Sequence, residues 1–111
     1  MKRPVLFIGY ESSFREEIRE FLKNLEGEAH FANSVEETIN IMHSIEFETV
    51  VLNMQRIEDT AVLRYINLHH KDAHVLVMPG RQLKEAIPAL AKGQFELLHE
   101  PFRLEELKMF I

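Results

Sequence analysis

The chain has 111 residues, of which 46% are hydrophobic and 28% are charged, a composition typical of one globular domain with its own core. It contains no cysteine, which excludes disulfides, thiol nucleophiles and thiolate metal sites. A formal net charge of −5, without any run of basic residues, argues against nucleic acid as a partner.

Strand-like and helix-like segments alternate along the whole chain. The continuous apolar run Val5–Ile8 predicts a strand buried on both faces, and a helix with apolar positions three and four apart follows it. Ser13 and Glu16 predict a capping box at the start of this helix, and Gly27 predicts its end. The apolar positions of the first helix are Phe14, Ile18, Phe21, Leu22 and Leu25.

The next units repeat this pattern. Ala29–Ala32 is a short second strand, and the second helix opens with a predicted capping box of Ser34 and Glu37. The third strand, Thr49–Leu52, stops at Asn53, and a third helix follows. The apolar positions of the second and third helices are Val35, Ile39, Met42, Ile45, Ala61, Val62, Tyr65 and Ile66.

The last part of the chain contains a fourth strand, His74–Met78, and a fifth, Phe95–Leu98. The helical segment between them ends at Gly93 and should be short, bent or mobile, because the interior Pro88 removes a backbone hydrogen bond and costs about 3 kcal/mol. Its apolar positions and those of a last helix are Leu83, Ile87, Leu90, Ala91, Leu104, Leu107, Phe110 and Ile111. These units predict one domain over residues 1–111, a doubly wound α/β sandwich with a five-stranded parallel sheet and helices on both faces.

The order of the units and three local stretches resemble the receiver domains of the two-component response regulators of bacteria. The stretches are the first strand with the turn at Gly9, the third strand with Phe47 through Asn53, and the segment from Gly93 to Phe102. This resemblance covers the whole chain. It implies a flavodoxin-like fold with the strand order 2-1-3-4-5.

In that family the chemistry lies where the strands end. Two adjacent acids after the first strand hold Mg²⁺, an Asp after the third accepts a phosphoryl group, and a hydroxyl and a Lys after the fourth and fifth strands bind its oxygens. This chain departs from the family at each of these positions. In the same order, the positions hold Gly9, Tyr10, Asn53, Met78 and Glu100, and the position of the aromatic residue that switches in this family holds Leu97.

These substitutions predict a pocket without phosphorylation chemistry, metal or other cofactor. Mg²⁺ is usually held by carboxylates, and phosphoryl transfer depends on positioning and charge neutralisation, which neither Asn53 nor Glu100 provides. Glu11 matches an acid that often follows the family's pair, but we expect it to act at the helix start. If Tyr10 and Asn53 converge on Glu100, they can donate hydrogen bonds to its carboxylate; the alternative is that Tyr10 and Glu100 point into water.

Histidines form one further candidate site. His69, His70 and His74 are close in sequence, and the last two are four positions apart, as they would be in a helical zinc site. The intervening Lys71–Ala73 is predicted to be a loop, which breaks that geometry. We therefore predict no metal here.

The function is expected to lie on the surface. In the family, the face made by the fourth helix, fifth strand and fifth helix binds partners or a second copy. Pro79, Gly80 and Pro88 predict either an altered docking face or a surface helix that tolerates a kink. The last helix is short at Ile111, so either a partner caps it or the chain continues in a longer protein.

The leading hypothesis is a receiver-like domain that is not an enzyme and acts as a phosphorylation-independent interaction module in bacterial-type signalling. Its partner is a protein, a second copy of the chain included. No apolar stretch is long enough for a signal peptide or a membrane span, so we expect a cytoplasmic protein. The second hypothesis is a small-ligand sensor that uses Tyr10 and Glu100 in the crevice at the strand ends.

Overall fold

The computed structural model describes residues 3–80, 83, 95–98 and 103–109. The strands are β1 (Arg3–Ile8), β2 (Gly27–Ala32), β3 (Thr49–Met54), β4 (His74–Pro79) and β5 (Glu96–Leu97), and the helices are α1 (Ser12–Lys23), α2 (Val35–Ser44) and α3 (Thr60–His69). Short 3-10 helices cover Ile57–Asp59 and Leu104–Met109. The predicted kink at Pro88, the side chain of Glu100 and the apolar positions Phe110 and Ile111 lie outside the described residues.

The five strands form one parallel sheet in the order β2-β1-β3-β4-β5. This confirms the predicted fold class and strand order. The register places Ile8 beside Leu52 and Asn53 beside Met78. The carboxyl ends of β1, β3 and β4 therefore lie together at one edge of the sheet.

The central strands are buried on both faces, as their continuous apolar runs predict. Alternate side chains enter two separate clusters, so that Leu6 lies in one and Phe7 in the other. Helices α2 and α3 supply Met42 and Ile66 to the first cluster, and α1 supplies Leu22 to the second. Each such side chain contributes about 1.5–3 kcal/mol when fully buried, and the helices are thereby held on opposite faces of the sheet.

The two predicted capping boxes have different outcomes. At α2, the hydroxyl of Ser34 accepts a hydrogen bond from the backbone N–H of Glu37 at 3.0 Å, which confirms this cap. At α1, the prediction is wrong, because the helix already begins at Ser12 with Glu11 as the residue before it and no side-chain cap. Phe14 then falls in the first turn, where 53% of it is exposed, and so it does not join the core.

Gly27 does not end α1, which stops at Lys23. The chain instead turns through Glu26, whose φ of 57° lies in the left-handed region. Gly27 is the first residue of β2, and a Cβ there would lie 3.3 Å from the Cβ of Leu22. The absence of a side chain thus serves close packing of the strand against α1.

The end of the described chain is less regular than the apolar pattern predicts. The fifth strand contains two residues rather than four, although the backbone N–H of Leu98 still donates to the carbonyl of Val77 at 2.8 Å. The described part of the last helix is a 3-10 helix that buries Leu107 completely. Across the described ranges, no helix combines the length and the apolar content that crossing a membrane requires.

Candidate functional site

The predicted pocket residues that the structure describes lie at the carboxyl ends of the strands. Gly9 follows β1 directly, Asn53 is the fifth residue of β3, and Met78 pairs with Asn53 in the register of β4. Met78 is half-buried and packs against the cluster that contains Phe7. A thioether in this place offers no hydroxyl to a ligand.

The side-chain amide of Asn53 is hydrogen-bonded at both of its polar atoms. Its Nδ2 donates to the carbonyl oxygen of Gly9 at 3.0 Å, and its Oδ1 accepts from Nε2 of Gln55 at 2.6 Å. One amide thus links the end of β1 to the residue that follows β3. A carboxylate has only acceptors at neutral pH, and it could not reproduce the contact with Gly9.

Gly9 occupies a conformation that other residues rarely adopt. Its φ is 85°, and a Cβ placed on it would lie 2.8 Å from the backbone carbonyl oxygen of Asn53. Both the angle and the close approach require glycine. An acid at this position would therefore force the ends of β1 and β3 apart.

Tyr10 belongs to the core rather than to a solvent-facing pocket. Only 9% of it is exposed, and its ring meets that of Phe7 edge-on with 5.7 Å between centroids. The alternative in which Tyr10 points into water is therefore wrong. Its hydroxyl has no hydrogen-bond partner among the residues described, and burial raises the pKa of this phenol. The predicted bond to Glu100 involves a residue outside the described ranges.

The loop after β3 is held by one carboxylate. Asp59 accepts hydrogen bonds from the backbone N–H groups of Gln55 at 3.1 Å and Arg56 at 3.0 Å, and the guanidinium of Arg56 lies 3.4 Å from its other oxygen. These contacts satisfy Asp59 within its own loop. Its role is to order the segment that leads into α3.

The donor set at the strand ends does not fit a magnesium ion. Mg²⁺ takes six oxygens in near-octahedral geometry and is usually held by carboxylates. Gly9 and Asn53 supply no carboxylate, and the carbonyl oxygen of Gly9 already accepts a hydrogen bond from Nδ2 of Asn53. Over the described ranges as a whole, no group of three histidine or acidic side chains has a metal-binding arrangement.

Two residues have contacts at this site that the sequence did not predict: Gln55 was not singled out, and Gly80 was named only for the segment after the fourth strand. Gln55 bonds to Asn53, and a Cβ on Gly80 would lie 3.0 Å from Oε1 of Gln55. The backbone N–H of Gly80 also donates to the carbonyl of Met54 at 2.7 Å. The spacing of Asn53 and Gln55 was an available signal, because side chains two apart in an extended segment point to the same side.

The described remainder of the pocket positions is apolar. Leu97 pairs with Val77 in the sheet and is half-buried against the cluster that contains Leu6. It thus fills space as an aliphatic side chain in the position where the family has a switching aromatic residue.

The three clustered histidines do not converge on one point. The rings of His69 and His70 lie 4.9 and 5.4 Å from that of Tyr65, and His70 Nε2 is 3.3 Å from the Tyr65 hydroxyl. His74 instead contacts the carboxylate of Glu96 at 2.8 Å. The pKa of His70 is lowered by its burial and by the nearby His69 and His43, against a smaller opposing effect of Glu46.

One cavity of about 580 Å³ lies at the amino ends of β4 and β5, at the opposite edge of the sheet from Asn53. Charged and apolar side chains contribute to its wall. The residues that line it are Lys71, Asp72, Ala73, His74, Val75, Phe95 and Glu96.

No family model and no curated protein matches this chain, but solved structures do. A receiver domain from Methylobacillus flagellatus gives a TM-score of 0.74 at 16% identity over 99% of this chain and 96% of its own. Adenylate cyclase from Rhodopirellula baltica gives 0.79 at 22% over 99% and 84%.

NtrX from Brucella abortus gives a TM-score of 0.79 at 20% identity over 99% of this chain. The chain spans only 26% of the length of NtrX. All three matches are below 25% identity, and what they share with this chain is the three-dimensional arrangement. With its parallel sheet in the order 2-1-3-4-5, the chain has the fold of a response-regulator receiver domain.

Proposed function

We propose that this domain acts in signalling as a protein-interaction module in its unmodified state, and that it neither accepts a phosphoryl group nor catalyses a reaction. The observation that carries this proposal is the hydrogen bonding of Asn53 to Gly9 and Gln55. The carboxylate that would attack phosphorus is replaced by the amide of Asn53, which is a poor nucleophile. Both polar atoms of this amide are already hydrogen-bonded. The site is satisfied by the protein itself.

The metal requirement supports the same proposal. Phosphoryl transfer is catalysed mainly by positioning and by neutralising the charge of the transferred group. Gly9 offers no carboxylate, and Tyr10 is turned into the core. The described residues of the pocket therefore provide neither a carboxylate ligand for the metal nor a cation for the phosphoryl oxygens.

The partner surface proposed is the face made by the segment after β4, by β5 and by the end of the chain. Two features of its described part support this. Strand β5 is one of the two outer strands of the described sheet, a position in which strands can pair with another chain, and Met109 on the following 3-10 helix is 85% exposed. The partner proposed is a cytoplasmic protein, a second copy of the chain included.

A small-ligand site with Tyr10 as a polar contact is not proposed. The hydroxyl of Tyr10 is buried, and its ring packs among apolar side chains. A ligand in the strand-end crevice would reach it only if the core opened.

The first experiment incubates the chain with Mg²⁺ and a small-molecule phosphodonor and measures intact mass. We expect no phosphorylated species in the natural chain or in Asn53→Asp, because the single change restores the acceptor without the metal site. A receiver domain with the full acidic set, treated in parallel, is the positive control. A phosphoryl adduct on either form of this chain would contradict the proposal.

The second experiment tests the surface. Met109→Glu should weaken both self-association measured by light scattering and capture of a cellular partner, because it places a charge on the proposed face. Leu68→Glu is the matched control, since Leu68 is also apolar and 69% exposed but lies on α3. Equal behaviour of the two variants would remove this face from consideration.

A further inference from the structure

A row of contacts crosses the carboxyl ends of three neighbouring strands. The carbonyl of Gly9 after β1 accepts from the amide of Asn53, which accepts in turn from the amide of Gln55, and the N–H of Gly80 after β4 donates to the backbone carbonyl of the residue between those two. We call these four residues the amide bridge. The hydrogen bonds of Asn53 in this row are made with a backbone carbonyl and a neutral side-chain amide.

The amide bridge depends on the chemical identity of Asn53. The amide presents a donor to Gly9 and an acceptor to Gln55, and an amide is the side chain that offers both on one planar group. An aspartate in the same place would turn an oxygen toward the Gly9 carbonyl, where two acceptors repel each other. The bridge therefore requires asparagine at position 53, where a phosphoryl acceptor site has aspartate.

Glycine is required at one end of the bridge and favoured at the other. A Cβ at Gly9 would lie 2.8 Å from the carbonyl oxygen of Asn53, a backbone atom that moves only with the strand. At Gly80 the nearest atom is Oε1 of the flexible Gln55 side chain at 3.0 Å, which can move at smaller cost. Gly9 fixes the geometry, and Gly80 leaves room for Gln55.

The bridge joins segments that would otherwise be connected only through the sheet. Gln55 begins the loop that Asp59 orders, and Gly80 begins the chain that leaves β4. The N–H of Gly80 is itself bonded to the Met54 carbonyl. Movement of either segment would therefore break contacts of the other.

We propose that the amide bridge is a conformational lock, which holds the loop after β3 and the exit of β4 in one arrangement in place of any modification. This inference rests on the proposed function, because a module that works unmodified needs one fixed surface. The lock supplies that arrangement from within the chain.

Hydrogen exchange measured by mass spectrometry tests the lock on the full chain. The peptide amides of residues 55–60 and of Gly80 are the readout, since several of them are hydrogen-bonded. Asn53→Asp should exchange up to about tenfold faster in both places, the change that one lost hydrogen bond makes to an opening equilibrium. Asn40→Asp, an exposed residue on α2, is the matched control and should exchange as the natural chain does.

A second variant protects the test against a general loss of folding. Gln55→Ala removes an exposed side chain and its hydrogen bond to Asn53 but leaves the bond between Asn53 and Gly9. It should speed exchange at residues 55–60, which begin at the substituted residue, more than at Gly9. Exchange rates equal to those of the natural chain in both Asn53→Asp and Gln55→Ala would overturn the lock.

The lock and the proposed function can fail separately. Faster exchange together with a phosphoryl adduct on Asn53→Asp would uphold the lock and contradict phosphoryl incompetence. Unchanged exchange without an adduct would remove the lock and leave the proposed function standing.

Discussion

The carbonyl oxygen of Gly9 and the side-chain nitrogen of Asn53 are 3.0 Å apart, so a single nitrogen at position 53 makes this contact attractive. Around it, each neighbouring residue is suited to the same arrangement. Gly9 adopts a φ in the left-handed region, and Nε2 of Gln55 donates a hydrogen bond to Oδ1 of Asn53. At the residue scale, the pocket is built around neutral hydrogen bonds.

Gly9→Ala should therefore lower the free energy of unfolding by about 1–3 kcal/mol, the range for strained backbone conformations. The clash with the Asn53 carbonyl adds to the cost of the positive φ. Urea unfolding monitored by circular dichroism measures the change. Gly27→Ala is the control, because its Cβ would meet only the side chain and backbone of Leu22 at 3.3 Å or more, and it should cost less. A smaller loss for Gly9→Ala than for Gly27→Ala would contradict the role assigned to Gly9.

Sequence reasoning found the residues of this site by position and missed their partners. Asn53 and Gly9 stood out because apolar strands end beside them, and the resemblance to a known family marked their places. Gln55 was missed since a polar residue in a loop has many possible partners, and the choice is made by tertiary contacts. For Tyr10, sequence left both orientations open, and the packing of Phe7 and α1 decides between them.

At the element scale, the first residue of each helix depends both on the capping preferences of nearby residues and on where the preceding strand ends. Ser34 caps α2 as predicted, and its carbonyl also receives the hydroxyl of Thr38 at 2.8 Å. Ser13 has the same sequence spacing to an acid, but α1 begins two residues earlier than a cap at Ser13 would place it. The short turn after β1, which passes through Gly9, sets that boundary, and no local propensity encodes it.

Ser34→Ala should lower the free energy of unfolding by about 0.5–2 kcal/mol, the usual cost of losing an N-cap. Ser13→Ala should leave it within about 0.5 kcal/mol, as exposed helical positions usually do. Thermal and urea unfolding of the two variants give the comparison. Equal losses would show that α1 also relies on a serine cap.

The carboxyl end of α3 should make stability depend on pH. The pKa of His70 is lowered from its ordinary value of 6.5, so the unfolded chain binds a proton more readily than the folded one. Stability should be at its full value above pH 6.5 and decline as the pH falls below it. Unfolding by urea at a series of pH values measures this dependence.

His43→Gln provides the sharper check on the same group. Because His43 is one cause of the shift, its removal should move the pKa of His70 back toward 6.5 in an NMR titration. His30→Gln, on β2 beside Phe47, should leave it unchanged. A His70 pKa at or above 6.5 in the natural chain would refute the assignment.

At the scale of the whole molecule, the architecture was predictable to a greater degree than its details. The parallel sheet is confirmed because continuous apolar runs specify strands buried on both faces. The strand order, which the resemblance to receiver domains implied, is confirmed with it. The two-residue length of β5 and the 3-10 form of the last described turn were not predicted. Both depend on contacts across the domain, which periodicity does not report.

The whole domain should be indifferent to magnesium. A ligand that binds only the folded state at a hundredfold its dissociation constant adds about 2.7 kcal/mol, and we expect no such gain here, because the family's metal-holding positions carry Gly9, Tyr10 and Asn53 instead of carboxylates. Melting curves recorded with millimolar MgCl₂ or with an equal ionic strength of NaCl should coincide. A rise of several degrees with MgCl₂ alone would point to a cation site.

The buried position of Tyr10 also gives the molecule a built-in optical reporter. The chain has two tyrosines and no tryptophan, and Tyr65 is half-exposed beside the histidines of α3. In an alkaline titration followed by ultraviolet absorbance, Tyr10 should ionise only when the core on the α1 side of the sheet opens, because burial raises its pKa. That absorbance step would record core opening without any label, and ionisation of Tyr10 while the fold is still intact would contradict its burial.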